Sequence, residues 1–383
     1  MGMKKMHKNR VLFVTNLPSP YRVRFFNMLS PFIDLTVAYL FEKGEHNRTW
    51  SIDDLEHTYA YEILPEIVVS DKIRFNPSWH RFLRNHDFDV YIVGNYTSIG
   101  EITAMRYAKK IHKPLIINSD GGFILPNESR FKRAMKKRLL AMGDHHIVSG
   151  QNAKKTLLYY GVEPTKIDTY PFSSIVEQEI IDRPFTDTEK QRARYKIGIP
   201  SGRSVALFVG QFIARKNIEH LLHTALAARN KRLQFVLVGQ GPLRREYETF
   251  IASHNLDNVT IAGYKEKELL QSYYKAADVL LLLSKSDTWG LVLNEAIANG
   301  LPVIVSQYIG AAYDLVKDGE NGYMIDIDKD DYDATYKLIV STVHTRAMAA
   351  SSLEIAHKYT IEKQVDAHRN IIQSVCDSYR DTL

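Results

Sequence analysis

Short runs of apolar and β-branched residues alternate along the chain with longer segments whose apolar residues recur at helical spacing. This alternation is typical of parallel α/β units, because a parallel strand needs a crossover connection before the next one. The pattern predicts helices over residues 21–29, 99–110 and 151–160 in the first half. The predicted strands are 11–15, 35–39, 90–94, 114–118, 146–149 and 167–170, followed by 204–209, 234–238, 259–261, 279–283, 302–305 and 322–325.

A polar stretch interrupted by Pro171 and Pro184 separates the two series of strands. Because prolines interrupt regular elements, we place a domain boundary there. The expected organisation is a Rossmann-like domain over residues 1–176, a second over 177–360, and a C-terminal helix over 361–383 that packs on the first domain. Two doubly wound sheets facing across a cleft bind ligands at the carboxyl ends of their strands, so function is sought in the loops after the strands.

The composition bounds the class of protein. The 383 residues are 45% hydrophobic, which supports a buried core in each domain. The one cysteine, Cys376, can form neither an intrachain disulfide nor a cysteine-built metal site, which fits a reducing compartment. No run approaches the roughly 20 apolar residues of a membrane-spanning helix, and the amino terminus lacks a signal-peptide core. We therefore expect a cytoplasmic protein.

The net charge of +6 is unevenly distributed, with a basic cluster in residues 129–142. Apolar residues recur there at helical spacing, which predicts a basic amphipathic helix. Such a helix either lies on an anionic membrane, at the inner face of the membrane, or presents an ordinary solvated face. Binding to nucleic acid is not expected, because aromatic residues do not interleave with the charges. The basic residues are Arg130, Lys132, Arg133, Lys136, Lys137 and Arg138, and the apolar ones are Phe131, Ala134, Met135, Leu139 and Met142.

The segment SKSDTWGLVLNEAIANGLPVIVS, which begins at Ser284, places Asp287 and Glu295 on either side of a predicted helix start. Backbone N–H groups at a helix start bind anions such as a diphosphate. Two carboxylates with an anion site between them suit the sugar hydroxyls, the diphosphate and the ribose of a nucleotide sugar. Alternatively, Asp287 is a helix N-cap and Glu295 faces solvent. The residues at the predicted helix start are Thr288, Trp289, Gly290 and Leu291.

This segment resembles the E-x7-E motif of the family 4 retaining glycosyltransferases, which have the GT-B fold of two facing Rossmann-like domains. The similarity extends through GLVLNEAIANGLPVIVS, over the predicted helix and the strand after it. In this chain Asp287 stands where the family usually has a glutamate. The resemblance implies that Glu295 holds the ribose and that Asp287 orients the sugar.

A second segment, FVGQFIARKN, follows the first strand of the second domain. Arg215 and Lys216 lie where a loop enters a predicted helix, so that two cations and unpaired backbone amides converge there. Cations at such a point neutralise the charge on a leaving diphosphate, although a basic turn opening a surface helix is an alternative. The family usually has an arginine directly after the glycine, whereas this chain has Gln211 after Gly210. By resemblance Lys216 is the family lysine, and Arg215 either replaces the arginine or faces solvent.

Two further segments of the second domain resemble the same family. Gly239 and Gly241, in VLVGQGPLRREYE, either let the backbone pass close to a ligand or form a tight turn from strand to helix. The resemblance implies that the loop of Gly263, Tyr264 and Lys265 reads the nucleotide base.

In the first domain, Pro20, Tyr21 and Arg22 follow the first strand in TNLPSPYRVRFFNML. They resemble a subset of the family that builds bacterial surface polysaccharides, and we assign them to the acceptor side. Asp120 lies at a strand end in LIINSDGGF, near the point where many relatives have a histidine that contacts the transferred sugar. Asp120 either accepts a proton or binds a hydroxyl in that role, or it is a turn former before two glycines.

The resemblance implies transfer of a hexosyl or N-acetylhexosaminyl group, with retention of anomeric configuration, from a nucleotide diphosphate sugar in which UDP is the favoured nucleotide. The acceptor is expected to be a glycan, or a lipid-linked or protein-linked glycan. No metal and no cofactor are expected, because a suitable D-x-D motif is absent and the adjacent His145 and His146 point to opposite faces of a strand.

Two alternatives of a different class remain. One is a nucleotide-sugar epimerase or hydrolase of the same fold, which needs acid and base groups around the sugar; the candidates are Asp120 and Asp287. The other is a non-catalytic protein that binds the donor and assists another glycosyltransferase, which the altered Gln211 and Asp287 would suit. A nicotinamide dehydrogenase is disfavoured, because the first strand lacks the G-x-G-x-x-G turn of dinucleotide binding.

Overall fold

The computed structural model describes residues 8–41, 55–70, 73–124, 127–200, 202–229, 232–329, 331–343 and 345–381. The chain divides into two compact units. Unit 1 comprises residues 1–172 and 361–383, and unit 2 comprises residues 173–360. The division falls after Phe172, whereas the sequence analysis placed it after residue 176.

Every strand predicted from the sequence is present, within two residues at either end. In unit 1 the strands are β1 (Arg10–Thr15), β2 (Asp34–Tyr39), β3 (Ala60–Ile63), β4 (Ile67–Ser70), β5 (Ile73–Phe75), β6 (Val90–Val93), β7 (Leu115–Ser119), β8 (His145–Ser149) and β9 (Ile167–Tyr170). In unit 2 they are β10 (Ser204–Val209), β11 (Leu233–Val238), β12 (Val259–Gly263), β13 (Val279–Leu282), β14 (Val303–Ser306) and β15 (Gly322–Ile325).

The helices fill the intervals between the strands, as the sequence predicts. In order they are α1 (Pro20–Leu29), α2 (Trp79–Asn85), α3 (Ile99–Lys110), α4 (Arg130–Leu140), α5 (Gly150–Tyr159), α6 (Asp187–Lys196), α7 (Ile218–Ala227), α8 (Arg244–Ser253), α9 (Lys267–Ala276), α10 (Leu291–Ala298), α11 (Ala312–Leu315), α12 (Tyr332–Thr342), α13 (Arg346–Ala356) and α14 (Ile361–Arg380). Among the described residues, no helix is both long and apolar enough to cross a membrane.

Each unit is built on one parallel sheet. Among the described residues, the sheet of unit 1 has the strand order β3-β2-β1-β6-β7-β8-β9, and that of unit 2 has the order β12-β11-β10-β13-β14-β15. Parallel sheets are covered on both faces, which is why strands such as β11 and β13 are buried at every residue and read as continuous apolar runs. The sequence analysis missed β3, an edge strand of mostly exposed residues without such a run, as well as the antiparallel pair β4 and β5.

The strand order reverses direction once in each sheet, next to the first strand of each unit. In unit 1 this switch point lies between β1 and β6, and in unit 2 it lies between β10 and β13. Open parallel sheets bind ligands beside the carboxyl ends of the strands at such a point. The loops after β10 and β13 contain two of the segments singled out in the sequence, so the fold directs attention to them.

The C-terminal helix α14 belongs to unit 1, although all of unit 2 precedes it in the sequence. It contacts α1 and β9. One face of the helix is buried, with side chains recurring every three or four residues, as expected for a helix that packs on a core. The buried residues are Ile361, Gln364, Val365, His368, Ile372 and Cys376.

Candidate active site

The loops after β10 and β13 are tied together by their backbones. The loop after β10 contains a 3-10 turn at Ala214–Lys216 that leads into α7. The amide of Lys285 donates to the carbonyl of Arg215 at 2.8 Å, and the side-chain amide of Asn217 donates to the carbonyl of Leu283 at 3.1 Å. These bonds bring the basic segment of the second domain against the segment that contains Asp287.

Lys216 and Asp287 form an ion pair, with the Nζ atom donating to Oδ2. Both side chains are largely buried, with exposed fractions of 10% and 14%. The Nη1 atom of Arg215 lies 3.6 Å from Oδ1 of the same carboxylate and donates to the carbonyl of Ser286 at 3.1 Å. The structure thus joins into one cluster the two cations assigned to the diphosphate and the acid assigned to the sugar. In this structure, Arg215 is not directed wholly to solvent.

Helix α10 begins at Leu291, and Gly290 is its N-cap with a left-handed φ of 96°. A Cβ atom at Gly290 would lie 2.9 Å from the side chain of Ile309, so both the backbone conformation and the space favour glycine there. Asp287 is therefore not the N-cap, and that alternative is wrong. The amide of Leu293 donates to the carbonyl of Gly290 at 2.8 Å, so the amides of Leu291 and Val292 before it are the expected anion-binding groups.

The side chains of Thr288 and Trp289, which precede this helix, differ in whether a ligand can reach them. Thr288 is exposed. Trp289 is buried, and its indole N–H donates to Oδ1 of Asn294 at 2.8 Å. Its side chain therefore packs within the protein, and only its backbone remains a candidate donor-binding group.

Glu295 lies just over one turn into α10, and its side chain is bonded to Tyr274 of α9. The hydroxyl of Tyr274 donates to Oε2 of Glu295 at 2.6 Å. Burial raises the pKa of the Glu295 carboxyl, while the hydrogen bond from Tyr274 opposes this. Because one oxygen is held by Tyr274, the other is left to accept from a ligand. Glu295 is thus not a solvent-facing side chain.

Three loops after neighbouring strands approach one another through glycines. The amide of Gly210 donates to the carbonyl of Val238 at 3.0 Å, and the amide of Gly239 donates to the carbonyl of Gly263 at 2.9 Å. A Cβ atom on Gly239 would stand 1.8 Å from the Gly210 carbonyl oxygen, and one on Gly241 would stand 2.4 Å from the Phe212 carbonyl oxygen. The close backbone approach at these glycines is therefore made to the neighbouring loop of the protein itself.

The other predicted donor-binding residues lie on the same edge of unit 2. Gln211 is partly exposed, and its carbonyl accepts from the amide of Ile213 at 3.1 Å. Tyr264 is exposed, and its hydroxyl donates to Glu266 at 3.3 Å. The Nζ atom of Lys265 lies 5.9 Å from the centre of the Tyr273 ring.

In unit 1, the structure joins Arg22 to Asp120. The guanidinium donates through Nη2 to Oδ2 of the carboxylate, and the hydroxyl of Tyr170 donates to Oδ1 at 2.7 Å. Burial lowers the pKa of Arg22, but the charge and hydrogen bond of Asp120, together with the nearby hydroxyls of Tyr21 and Tyr170, raise the pKa above its ordinary value. Both oxygens of Asp120 are thereby oriented, which a simple turn former does not require.

The remaining residues assigned to the acceptor side stand at the start of α1. Pro20 is the first residue of the helix and is exposed. The Tyr21 ring is partly exposed and packs edge-on against Phe172, with the ring centres 5.7 Å apart. Arg22 is buried. Of the three, Pro20 and Tyr21 are thus open to solvent in this structure.

Sequence reasoning missed two tyrosines that donate to candidate acids: Tyr170, which donates to Asp120, and Tyr274, which donates to Glu295. Tyr170 ends a predicted strand, so the rule that function lies at strand ends could have found it. Tyr274 lies inside a helix, where no spacing distinguishes it from a core residue.

Among the described residues, no group of three or more His, Cys, Asp or Glu side chains could hold a metal ion. His145 pairs with Asp168 at 2.8 Å, and burial lowers the pKa of His146 to about 4.

Comparison with known proteins finds a family similarity within unit 2. Residues 189–352 match the model of the family described as Glycosyl transferases group 1. Over 144 residues, 36% of this chain, the sequence is 31% identical to the alpha-D-kanosaminyltransferase of Streptomyces kanamyceticus. Over 261 residues, 64% of this chain, it is 27% identical to the D-inositol 3-phosphate glycosyltransferase of Thermobifida fusca. The chain covers only 37% and 57% of the lengths of these two relatives.

Solved structures resemble the fold over nearly the whole chain. HepE from Anabaena in complex with UDP has a TM-score of 0.77 at 15% identity, covering 95% of this chain and 100% of that one. HepE in complex with UDP-glucose has a TM-score of 0.73 at 15% identity, covering 96% and 99%. On these matches, residues 189–352 are similar to the group 1 glycosyl transferases, and the two parallel-sheet units have the GT-B fold.

Proposed function

We propose that the protein is a retaining glycosyltransferase that takes a sugar from a nucleotide diphosphate sugar, without a metal ion. The observation that carries this proposal is the cluster of Arg215, Lys216 and Asp287 beside the start of α10, with Glu295 oriented by Tyr274 further along the helix. Positive charge, unpaired N–H groups and an oriented carboxylate in this order match the parts of a nucleotide sugar.

In this proposal the diphosphate binds Arg215, Lys216 and the first amides of α10, near Gly290 and Leu291. Its negative charge competes with Asp287 for Lys216, which frees the carboxylate to accept from sugar hydroxyls. Glu295 binds the ribose through the oxygen that Tyr274 leaves free. UDP is the favoured nucleotide, and the complexes of HepE with UDP and UDP-glucose support that choice for this fold. The loop of Gly263 to Lys265 is assigned to the base.

The reaction forms a bond between an acceptor oxygen and the anomeric carbon, and breaks the bond between that carbon and the diphosphate oxygen. Retention follows when the acceptor attacks on the face that the diphosphate leaves. The hydroxyl proton then passes to the departing diphosphate. Lys216 and Arg215 stabilise the negative charge that develops on it, and this electrostatic stabilisation is the main catalytic contribution of the protein. Asp287 and Asp120 orient the transferred sugar.

The proposal is tested by incubating the protein with UDP-glucose, UDP-galactose and UDP-N-acetylglucosamine, and measuring UDP release and the anomer of the released sugar by proton NMR. We expect release from one donor, with the retained anomer formed first and an unchanged rate in EDTA. The inverted anomer, or a strict requirement for manganese, would contradict the mechanism. A donor whose sugar is epimerised without UDP release would identify an epimerase. UDP release that no bacterial lipid extract stimulates would identify a hydrolase.

A first prediction concerns Tyr274, which we expect to set the orientation of Glu295. Tyr274→Phe removes the 2.6 Å hydrogen bond and leaves the ring in place. We expect UDP to bind roughly tenfold more weakly, because a hydrogen bond to a charged group contributes about 1.5 kcal/mol or more. Isothermal titration with 2′,3′-dideoxy-UDP is the control, since that ligand has no ribose hydroxyls for Glu295. Equal losses of affinity for both nucleotides would refute the assignment of Glu295 to the ribose.

The acceptor is proposed to be lipid-linked and approached at a membrane surface. On α4, Phe131 is 78% exposed and Met135 is 47% exposed, whereas Leu140 is the buried residue of the helix. Arg133 and Lys136 instead pack over the rings of Tyr159 and Tyr160, at 4.8 and 5.1 Å. The exposed apolar side chains, flanked by exposed basic residues, suit an anionic bilayer. The exposed basic residues are Arg130, Lys132, Lys137 and Arg138.

Vesicle sedimentation tests this second prediction. We expect the protein to bind vesicles containing phosphatidylglycerol and not those of phosphatidylcholine alone. Replacing Phe131 and Met135 with serine should weaken binding roughly tenfold, because their apolar area no longer enters the bilayer. Tyr195→Ser is the matched control, since Tyr195 is 87% exposed in unit 2. Unchanged binding of the double variant would show that α4 is only a solvated surface helix.

A further inference from the structure

The carboxylate of Asp120 rests on a buried set of side chains that includes a histidine of the C-terminal helix. Asn118 at the end of β7, Tyr170 at the end of β9 and His368 on α14 are all nearly or completely buried. The hydroxyl of Tyr170 donates to Asp120 at 2.7 Å, and the side-chain amide of Asn118 donates to the same hydroxyl at 3.3 Å. A continuous chain of contacts therefore leads from the carboxylate to the interior of unit 1.

His368 forms the inner end of this chain. Its Nε2 atom lies 3.1 Å from Oδ1 of Asn118, and its Nδ1 atom lies 2.8 Å from the carbonyl of Gln364. Burial lowers the pKa of His368 to about 3, with the nearby charge of Arg22 acting in the same direction. The ring is therefore uncharged at neutral pH and does not compete with Arg22 for the carboxylate. An uncharged ring has a single N–H, so it donates to one of these two oxygens, and the bond to Asn118 requires the hydrogen on Nε2.

The His368 ring also packs against both elements that hold Asp120. Its centre lies 4.6 Å from that of the Tyr170 ring and 4.8 Å from that of the Phe25 ring, edge-on in both cases. Phe25 is one turn from Arg22 on α1. His368 therefore contacts the tyrosine that holds one oxygen of Asp120 and the helix whose arginine holds the other.

We propose that His368 is a positioning residue for Asp120, through which the docking of α14 completes the sugar-orienting site of unit 1. This inference rests on the proposed function, because it presumes that Asp120 orients the transferred sugar. Without the contact between the ring nitrogen and Asn118, the side chains of Asn118 and Tyr170 lose their fixed orientation. The carboxylate then departs from the geometry in which Arg22 and Tyr170 both bind it.

The principal test is His368→Phe, which keeps a ring between Phe25 and Tyr170 but removes the ring nitrogen that contacts Asn118. We expect kcat for UDP release, from the donor that the wild-type protein consumes, to fall about tenfold or more. The affinity for UDP, which is bound by unit 2, should be unchanged. Ile372→Ala is the matched control: this residue is fully buried one turn further along α14, and its loss should lower the melting temperature without lowering kcat.

A double-mutant cycle with Asp120→Asn distinguishes positioning from a general loss of stability. We expect His368→Phe to have little further effect in the Asp120→Asn background, because both changes disable the same group. Effects that multiply would overturn the inference, as would a crystal structure of His368→Phe in which Asp120 keeps both partners. If the wild-type protein neither binds UDP nor releases it from any donor, the proposed function itself fails. If the wild-type protein is active and the His368→Phe variant has the same kcat, the proposed function stands and the positioning role of His368 is wrong.

Discussion

Replacing Lys216 with alanine is expected to lower kcat for sugar transfer by about 100- to 1000-fold. Lys216 is the more buried of the two cations in the cluster with Asp287. A cation in a site shielded from water stabilises developing negative charge far more strongly than one in solvent, and removal of one such donor typically costs this much. The loss should appear in kcat rather than in the affinity for UDP-sugar, because charge on the diphosphate increases as the sugar departs.

The matched control for this variant is Lys285→Ala. Lys285 has an exposed side chain in the loop after β13, close in sequence to Asp287, and its backbone bond to Arg215 does not depend on the side chain. We expect its kcat to equal that of the wild type. Steady-state kinetics and circular dichroism of both variants complete the measurement. A folded Lys216→Ala protein with wild-type kcat would exclude the proposed catalytic role of this cluster.

Gly239→Ala is expected to destabilise unit 2 by about 3–5 kcal/mol. The added methyl group would stand 1.8 Å from the Gly210 carbonyl oxygen, and Gly239 has a φ of 143°, which side chains disfavour. Neither residue can move freely, because Gly210 and Gly239 each donate a backbone hydrogen bond to a neighbouring strand or loop. Thermal unfolding should show a transition roughly 10 °C lower, assigned to unit 2.

Gly319→Ala separates steric overlap from backbone strain. Gly319 also has a left-handed φ, 75°, but a Cβ atom there would meet no other atom within 4 Å. We expect a cost of about 1 kcal/mol for the backbone conformation alone. If the two alanine variants unfold at the same temperature, the loops after β10 and β11 are not packed as tightly as described.

The strands could be predicted because parallel sheets bury both faces and leave apolar runs of characteristic length. The edge strand β3 could not, since three of its four residues are exposed and only its backbone reveals it. In α4 the sequence pattern predicts the element correctly but does not predict which of its faces is buried. Its apolar residues have helical spacing, but Phe131 and Met135 face solvent while Arg133 and Lys136 pack against aromatic rings. Amphipathic spacing predicts the helix without stating which face is buried.

The candidate site residues could be predicted from the sequence where they lie in or near the loops that follow predicted strands. Asp120, Asp287, Lys216 and Glu295 are recognisable from the sequence, yet their partners are not, because each pairing joins residues far apart in the chain. Arg22 with Asp120 and Lys216 with Asp287 were assigned separate tasks, whereas the structure makes each an ion pair. Only the folded backbone brings such residues together.

The position of α14 has a consequence for synthesis on the ribosome. Residues 1–172 are translated before unit 2, whereas the helix that contacts α1 and β9 is translated only after the whole of unit 2. Domains usually fold in the order in which they emerge, but here the contiguous second unit can finish while the first still exposes the apolar surface awaiting its helix. Nascent chains should therefore acquire a folded unit 2 before Asp120 is fixed in place, so that chaperone contacts concentrate on unit 1.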